Sequence, residues 1–142
     1  METVSRRDPR GQGDQGERSA ISWLLGRDLP VFLPVGHSPD YDLLTDFGAG
    51  VSRVQVKTSS VFRNRRWDVT VCTRGGNQSW NGLVKYLDPA RYDHLFVLVG
   101  DGRRWFIPAA EVIGRAAIHL GGPVYERFEI EAGVPLRPPL PR

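Results

Sequence analysis

The sequence predicts a mixed α/β domain in which helices flank a β-sheet. Three observations carry this: helical apolar spacing near the N-terminus, alternating stretches at 41–59 and 67–73, and a continuous apolar run at 94–99. At 142 residues the chain has room for one domain, not two independent cores. An apolar content of 40% with 16 glycines excludes a wholly disordered chain. The longest aliphatic–aromatic runs are far too short to cross a bilayer, and the polar first 15 residues hold no apolar segment of secretion-signal type. The one cysteine, Cys72, permits neither an internal disulfide nor a cysteine-based zinc site and reads as a small core residue. A soluble, reduced, cytoplasmic protein without a membrane partner is expected.

Residues 1–13, polar and rich in glycine and arginine, read as a disordered tail. The folded domain is expected over 14–131. Residues 132–142 form a proline-rich tail, with four prolines in the last nine positions, that cannot become a helix or inner strand. Within the domain, Asp14 can cap a helix over 14–26, where Ile21, Leu24 and Leu25 recur at helical spacing and Gly26 closes it. A short apolar segment at 29–35 is punctuated by Pro30 and Pro34. Strands follow at 41–47 and 51–59 around a Gly48-Ala49-Gly50 turn, with a third at 67–73. A polar loop at 74–82 leads to a brief helical piece at 83–86. The run at 94–99 is short enough for a buried strand, Asp101-Gly102 signals a hairpin, and 104–107 returns. A second helix is expected over 108–113 and an edge strand over 124–130.

Charge is more informative in its distribution than in its net value of +3. Of 19 basic residues only Lys57 and Lys85 are lysines; the rest are arginine, whose planar fork suits phosphate. With a pI near 9.4, the chain favours a polyanionic partner. Between Arg53 and Arg74 six basic residues face a single acid, Asp68. A solvated surface patch is the plain alternative for that run.

Chemistry concentrates in the alternating segment Arg53-Val54-Gln55-Val56-Lys57. Val54 and Val56 share one strand face; Arg53, Gln55 and Lys57 share the other. A turn centred between Gly48 and Ala49 makes positions summing to 97 face each other. Asp42 then lies opposite Gln55, with Cβ atoms roughly 5 Å apart, and Lys57 lies on the adjacent diagonal. A polar, solvent-facing stripe is the alternative reading. Against it, Lys57 is a rare lysine in an arginine-rich chain, and Asp42 sits among apolar neighbours where a carboxylate needs a cation or metal partner. Glu17, four residues before Ile21, shares the inward helix stripe. Asp14 and Glu17 also have capping-box spacing, which would employ Glu17 locally.

The pieces Gly16-Glu17, Pro39-Asp40-Tyr41-Asp42-Leu43-Leu44 and Val54-Gln55-Val56-Lys57-Thr58 together resemble the PD-(D/E)xK nuclease superfamily. The likeness is to the branch that includes the cyanobacterial group I intron homing endonuclease, in which glutamine replaces the middle acid. It extends from about Gly16 to Glu111. The resemblance implies a restriction-endonuclease-like fold: a mixed β-sheet flanked by α-helices. It also implies a magnesium-dependent DNA endonuclease, with manganese able to substitute and products carrying 5′-phosphate. Carried over, Asp42 is the metal-binding aspartate, Gln55 the acid-replacing glutamine, Lys57 the active-site lysine and Glu17 the helix-borne acid; Asp40 is an alternative ligand. The Val56 carbonyl joins Asp42 and Gln55 as a metal ligand.

Ser59, Ser60, Arg63, Arg65 and Arg66, directly after the lysine, are placed to hold a DNA backbone. Arg74, Asn77, Gln78 and Trp80 on the next polar loop could reach base edges or stack, or form a packed surface turn. His37, His94 and His119 show no metal-ligand spacing. One small active site cuts one strand, so double-strand cleavage calls for a dimer or tetramer. Two other readings stand beside the nuclease. A catalytically inactive DNA-binding or scaffold module on the same fold is kept open by Gln55. An RNA-binding protein explains the arginines and none of the acids.

Overall fold

The structure, a computed structural model, describes residues 9–36, 40–74 and 84–138, without the side chains of 9, 73, 74, 84 and 85. It opens on helix α1, Pro9–Gly26, which starts five residues before the predicted position. A proline suits a first helical turn, where its missing N–H would be unpaired in any case. The expected tail over 1–13 is thus helical from residue 9; residues 1–8 lie outside the described residues. Asp14 is interior to α1, so it caps nothing and the capping box with Glu17 does not form. The buried stripe of α1 is Gly16, Ala20, Trp23 and Leu24. Leu29 N–H donates to the Leu24 carbonyl at 3.0 Å, and Asp28 turns the chain at φ 59°.

The glycines of α1 are not equivalent. A Cβ at Gly13 would meet nothing within 4 Å. Gly13→Ala should therefore stabilise the fold by about 0.5–1 kcal/mol through helix propensity and a less flexible unfolded chain, read as a raised denaturation midpoint.

The strands follow as β1 (Val31–Phe32), β2 (Leu43–Asp46), β3 (Val51–Ser59), β4 (Phe62–Arg63), β5 (Arg66–Thr70), β6 (Cys72–Arg74), β7 (Val84–Tyr86), β8 (His94–Val99), β9 (Arg104–Pro108), β10 (Ala117–Leu120) and β11 (Glu129–Ile130). The main sheet has the order β1-β2-β3-β8-β9-β11. The β3–β8 pair is parallel and the others are antiparallel, a mixed sheet as expected. The register of the β2–β3 hairpin, from Leu43↔Val54 to Asp46↔Val51, is the one read from the turn. Gly48 holds that turn at φ 88°, a conformation costly for other residues. A second sheet, β10-β5-β4, and a β6–β7 pair complete the architecture.

Several segments depart from the sequence reading. The strand expected over 67–73 divides at Val71: β5 pairs with β10, while β6 turns away to β7. The helical piece at 83–86 is strand β7 from Val84, Leu83 lying outside the described residues. The helix over 108–113 is one 3-10 turn, Ala109–Val112, enough to bury Ala109 and Val112. The edge strand over 124–130 shrinks to β11 behind a 3-10 turn at Glu126–Phe128. Strand β10 was not anticipated, although Ile118 and Leu120 alternate inward. Among the described residues α1 is the sole α-helix, so one sheet face is covered by helix and the other by strands. It is not long and apolar enough to cross a membrane.

Two cores result. Ala20, Trp23 and Leu24 of α1 pack on Leu43, Val54, Phe96 and Leu98. On the opposite face, Leu95, Val97, Val99, Trp105 and Ile107 meet Val69, Val71, Ile118 and Leu120. Alternation along β8 sends Phe96 and Leu98 to one core and Leu95, Val97 and Val99 to the other, which is why that run is apolar throughout. Cys72 is buried, as expected.

The proline-rich segment has no helix or strand over 131–138 but is tied down. Trp23 Nε1 donates to Glu131 Oε2 at 3.0 Å, and Arg104 Nε donates to the Glu131 carbonyl at 2.7 Å. Gly133 N–H donates to the Gly102 carbonyl and Arg137 N–H to Gln15 Oε1, both at 2.7 Å. Leu136 packs against the helix-side core. The final residues, 139–142, lie outside the described set.

Candidate active site

The site forms where the β2–β3 ladder is interrupted. Leu43 faces Val54, yet the Asp42 N–H also donates to the Val54 carbonyl at 2.8 Å. Asp42 is therefore not in simple register opposite Gln55; an extra residue breaks the pairing and re-aims its side chain. Asp42 Oδ2 accepts a 2.7 Å hydrogen bond from the Val56 N–H. The aspartate is thereby fixed to the middle of β3, beside the residues with which it was predicted to act.

Gln55 and Lys57 pair in parallel with Leu95 and Val97, on the face covered by the second sheet. This location explains their burial. Gln55 Oε1 is buried and has no hydrogen-bond partner among the described residues. Burial pushes the Lys57 ammonium below its ordinary pKa, an effect that nearby Asp42 and Cys72 oppose. From the other side α1 supplies Glu17, whose pKa is raised by burial first, then by the charges of Asp42 and Asp14. Asp42 thus lies within electrostatic reach of both Glu17 and Lys57. Three of the four predicted catalytic side chains are coupled through it, and Gln55 lies next to the amide that holds it.

The donor set fits a hard divalent cation. The carboxylates of Asp42 and Glu17, the latter's ionisation opposed by burial and by the Asp42 charge, and an orphaned amide oxygen offer oxygen donors of the kind magnesium prefers. Among the described residues no three His, Cys, Asp or Glu side chains converge into a metal cluster. Asp40, the alternative ligand, is held by Arg91 Nη1 at 3.2 Å; Pro39 lies outside the described residues. Arg53, the third polar residue on its strand face, grips Asp93 through Nε at 3.0 Å and Nη2 at 3.2 Å. This pair fastens the start of β8 beside β3.

The residues expected to contact a phosphate backbone divide. Ser59 is buried: its hydroxyl donates to the Asp68 carbonyl and accepts from Val61 N–H at 3.1 Å, so it serves the fold. Exposed Ser60 Oγ accepts from Gln12 Nε2 at 3.3 Å. Arg63 is engaged by Asp68, with Nε at 2.9 Å and Nη2 at 2.5 Å from Oδ2. His119 Nδ1 lies 2.6 Å from the other Asp68 oxygen. Arg65 is exposed on the β4–β5 turn, where Asn64 and Arg65 both take positive φ, at 52° and 62°. Arg66, half-buried, donates from Nη1 to the Arg65 carbonyl at 3.0 Å. The Arg74 side chain, Asn77, Gln78, Trp80 and His37 lie outside the described residues.

Gly16 appears in the sequence only as the neighbour of Glu17, with no role of its own. A Cβ there would lie 2.5 Å from Thr58 Cγ2 and 3.0 Å from Val56 Cγ1. A glycine four residues before Ala20 on an inward stripe is the signal that could have shown a close helix–strand approach.

Comparison with known proteins agrees with the fold. A family model described as PD-(D/E)XK endonuclease matches residues 7–121. A solved structure of a bacterial homing endonuclease, I-Ssp6803I, superposes with a TM-score of 0.76 at 21% identity, covering 87% of this chain and 89% of that one. A search of curated proteins returns no match.

Proposed function

From the premise that this chain belongs to the PD-(D/E)XK endonuclease family, we propose that it is a divalent-metal-dependent endonuclease hydrolysing phosphodiester bonds in DNA. The carrying observation is the coupling of Glu17 and Lys57 through an Asp42 fixed to the Val56 amide. Asp42 and Glu17, with the Gln55 amide oxygen and the Val56 carbonyl, would hold the cation. Magnesium is the proposed metal and manganese the substitute. When bound, it supplies Lewis-acid polarisation of the scissile phosphate and a more acidic water. Lys57 Nζ would orient the attacking water by hydrogen bonding and offset charge developing on the phosphate oxygens. Cleavage of both strands requires two such sites, hence a homo-oligomer.

The test is nicking of supercoiled plasmid by the full chain with Mg²⁺, with and without chelator. Chelator-sensitive nicking is expected. Unimpaired DNA binding without nicking in Mg²⁺ or Mn²⁺ would favour an inactive DNA-binding module, the reading that Gln55 keeps open.

Arginine contacts with the backbone make a quantitative expectation. Arg65→Ala and Arg66→Ala should each lower the log–log salt slope of metal-free duplex binding by about one. Arg63→Ala should change it less, since Asp68 already neutralises that guanidinium. Unchanged slopes for Arg65 and Arg66 would return the loop to a solvated patch.

A further inference from the structure

Val56 is a shared anchor. Its N–H holds Asp42, and its Cγ1 lies 3.0 Å from where a Cβ would stand on Gly16, the residue before Glu17. The separation of α1 from β3 at this point therefore sets where Glu17 stands relative to Asp42. A Cβ on residue 16 would sit 2.5 Å from Thr58 Cγ2, roughly 1 Å inside ordinary carbon–carbon contact. Neither neighbour can swing clear cheaply, because Thr58 and Val56 are both β-branched and stiff at χ1. The relief open to the structure is to move the helix off the strand.

We propose that Gly16 is a positioning residue: its missing side chain lets α1 approach β3 closely enough for Glu17 to act with Asp42 on one cation. This rests on the reading above that both acids belong to a metal site. It makes the glycine specific to the strand opposite it, and a methyl removed from Thr58 should compensate for a methyl added at residue 16. The nearby helical Gly13, with open space around it, is the matched control.

The experiment uses the full chain with Gly16→Ala, Thr58→Ser, the double variant and Gly13→Ala. Mn²⁺ affinity is read by electron paramagnetic resonance, nicking under single turnover, and fold by Tm without metal. Gly16→Ala should weaken Mn²⁺ at least about tenfold and slow nicking about a hundredfold, with metal-free DNA affinity kept. The double variant should return to within about threefold of the unmodified protein, whereas Gly13→Ala should match it in Mn²⁺ affinity and nicking and differ only in a raised Tm. If Gly16→Ala misfolds, the double variant decides: folded but still weak in Mn²⁺ overturns the proposal. Wild-type Mn²⁺ affinity in Gly16→Ala also overturns it, leaving the nuclease reading intact. An unmodified protein that neither takes up Mn²⁺ nor nicks DNA overturns the metal-site reading, and the proposal with it.

Discussion

Asp42→Asn should lower the single-turnover nicking rate at least about a thousandfold while sparing the fold and most metal-free DNA affinity. The substitution replaces one oxygen by nitrogen. The Val56 N–H that binds Asp42 Oδ2 at 2.7 Å still finds an amide oxygen, so the interrupted ladder survives. The charge does not, and Glu17 is left as the carboxylate of the proposed set. Asp40 is paired with Arg91, Asp93 is paired with Arg53, and Gln55 is neutral. The same change should let Glu17 ionise more readily, because the Asp42 charge is one cause of its raised pKa. Plasmid nicking and duplex binding measured on one preparation check both halves. Full nicking by Asp42→Asn would remove this residue from the site and the catalytic reading with it.

The second large effect separates function from stability. Lys57→Met should abolish nicking and raise Tm at neutral pH. Burial lowers the Lys57 pKa despite the opposing charge of Asp42, so the folded state tolerates the ammonium less well than the unfolded chain does. The unfolded chain therefore binds more protons between the lowered pKa and the ordinary 10.5, and stability must rise as pH climbs through that window. Below the window the cost of the buried charge is borne in full. Methionine fills similar volume without charge and should relieve it, flattening the alkaline rise. Thermal melts of both proteins from neutral to alkaline pH read the difference. A variant with lower Tm at neutral pH would show that Lys57 serves the fold, and one that still nicks would show that the ammonium is dispensable.

Legibility in the sequence followed the range of the interactions. The Gly48 turn and the alternation of Val54 and Val56 are local, and they set the register of β2 on β3. Asp42 was recognisable by its residue type and spacing, but its exit from that register was not. The interruption depends on one carboxylate finding a backbone N–H 14 positions away. A helix beginning at Asp14 leaves Glu17 open to two readings. The start at Pro9 removed the capping alternative, and contacts such as Gln12 with Ser60 hold that extra turn from 48 positions away. Strand β5 was expected to run through Thr73 because the alternation of Trp67, Val69 and Val71 leads into that position. The partners diverge there, β10 for one piece and β7 for the other, and a single strand's pattern carries no partner information. The arginine loop was correctly dense in charge, but the ion pair with Asp68 withdraws Arg63 from that total.

The proline-rich segment has a consequence for the order of folding. Glu131 bonds Trp23 across 108 positions, Arg104 reaches Ser19 across 85, and Arg137 bonds Gln15 across 122. Helix α1 is thus secured by residues far along the chain from it. Loop-closure entropy delays such contacts until the sheet between them has formed. Until then α1, and Glu17 upon it, is held by its seat on the sheet alone, and the helix that carries the acid is fully clamped only late in folding.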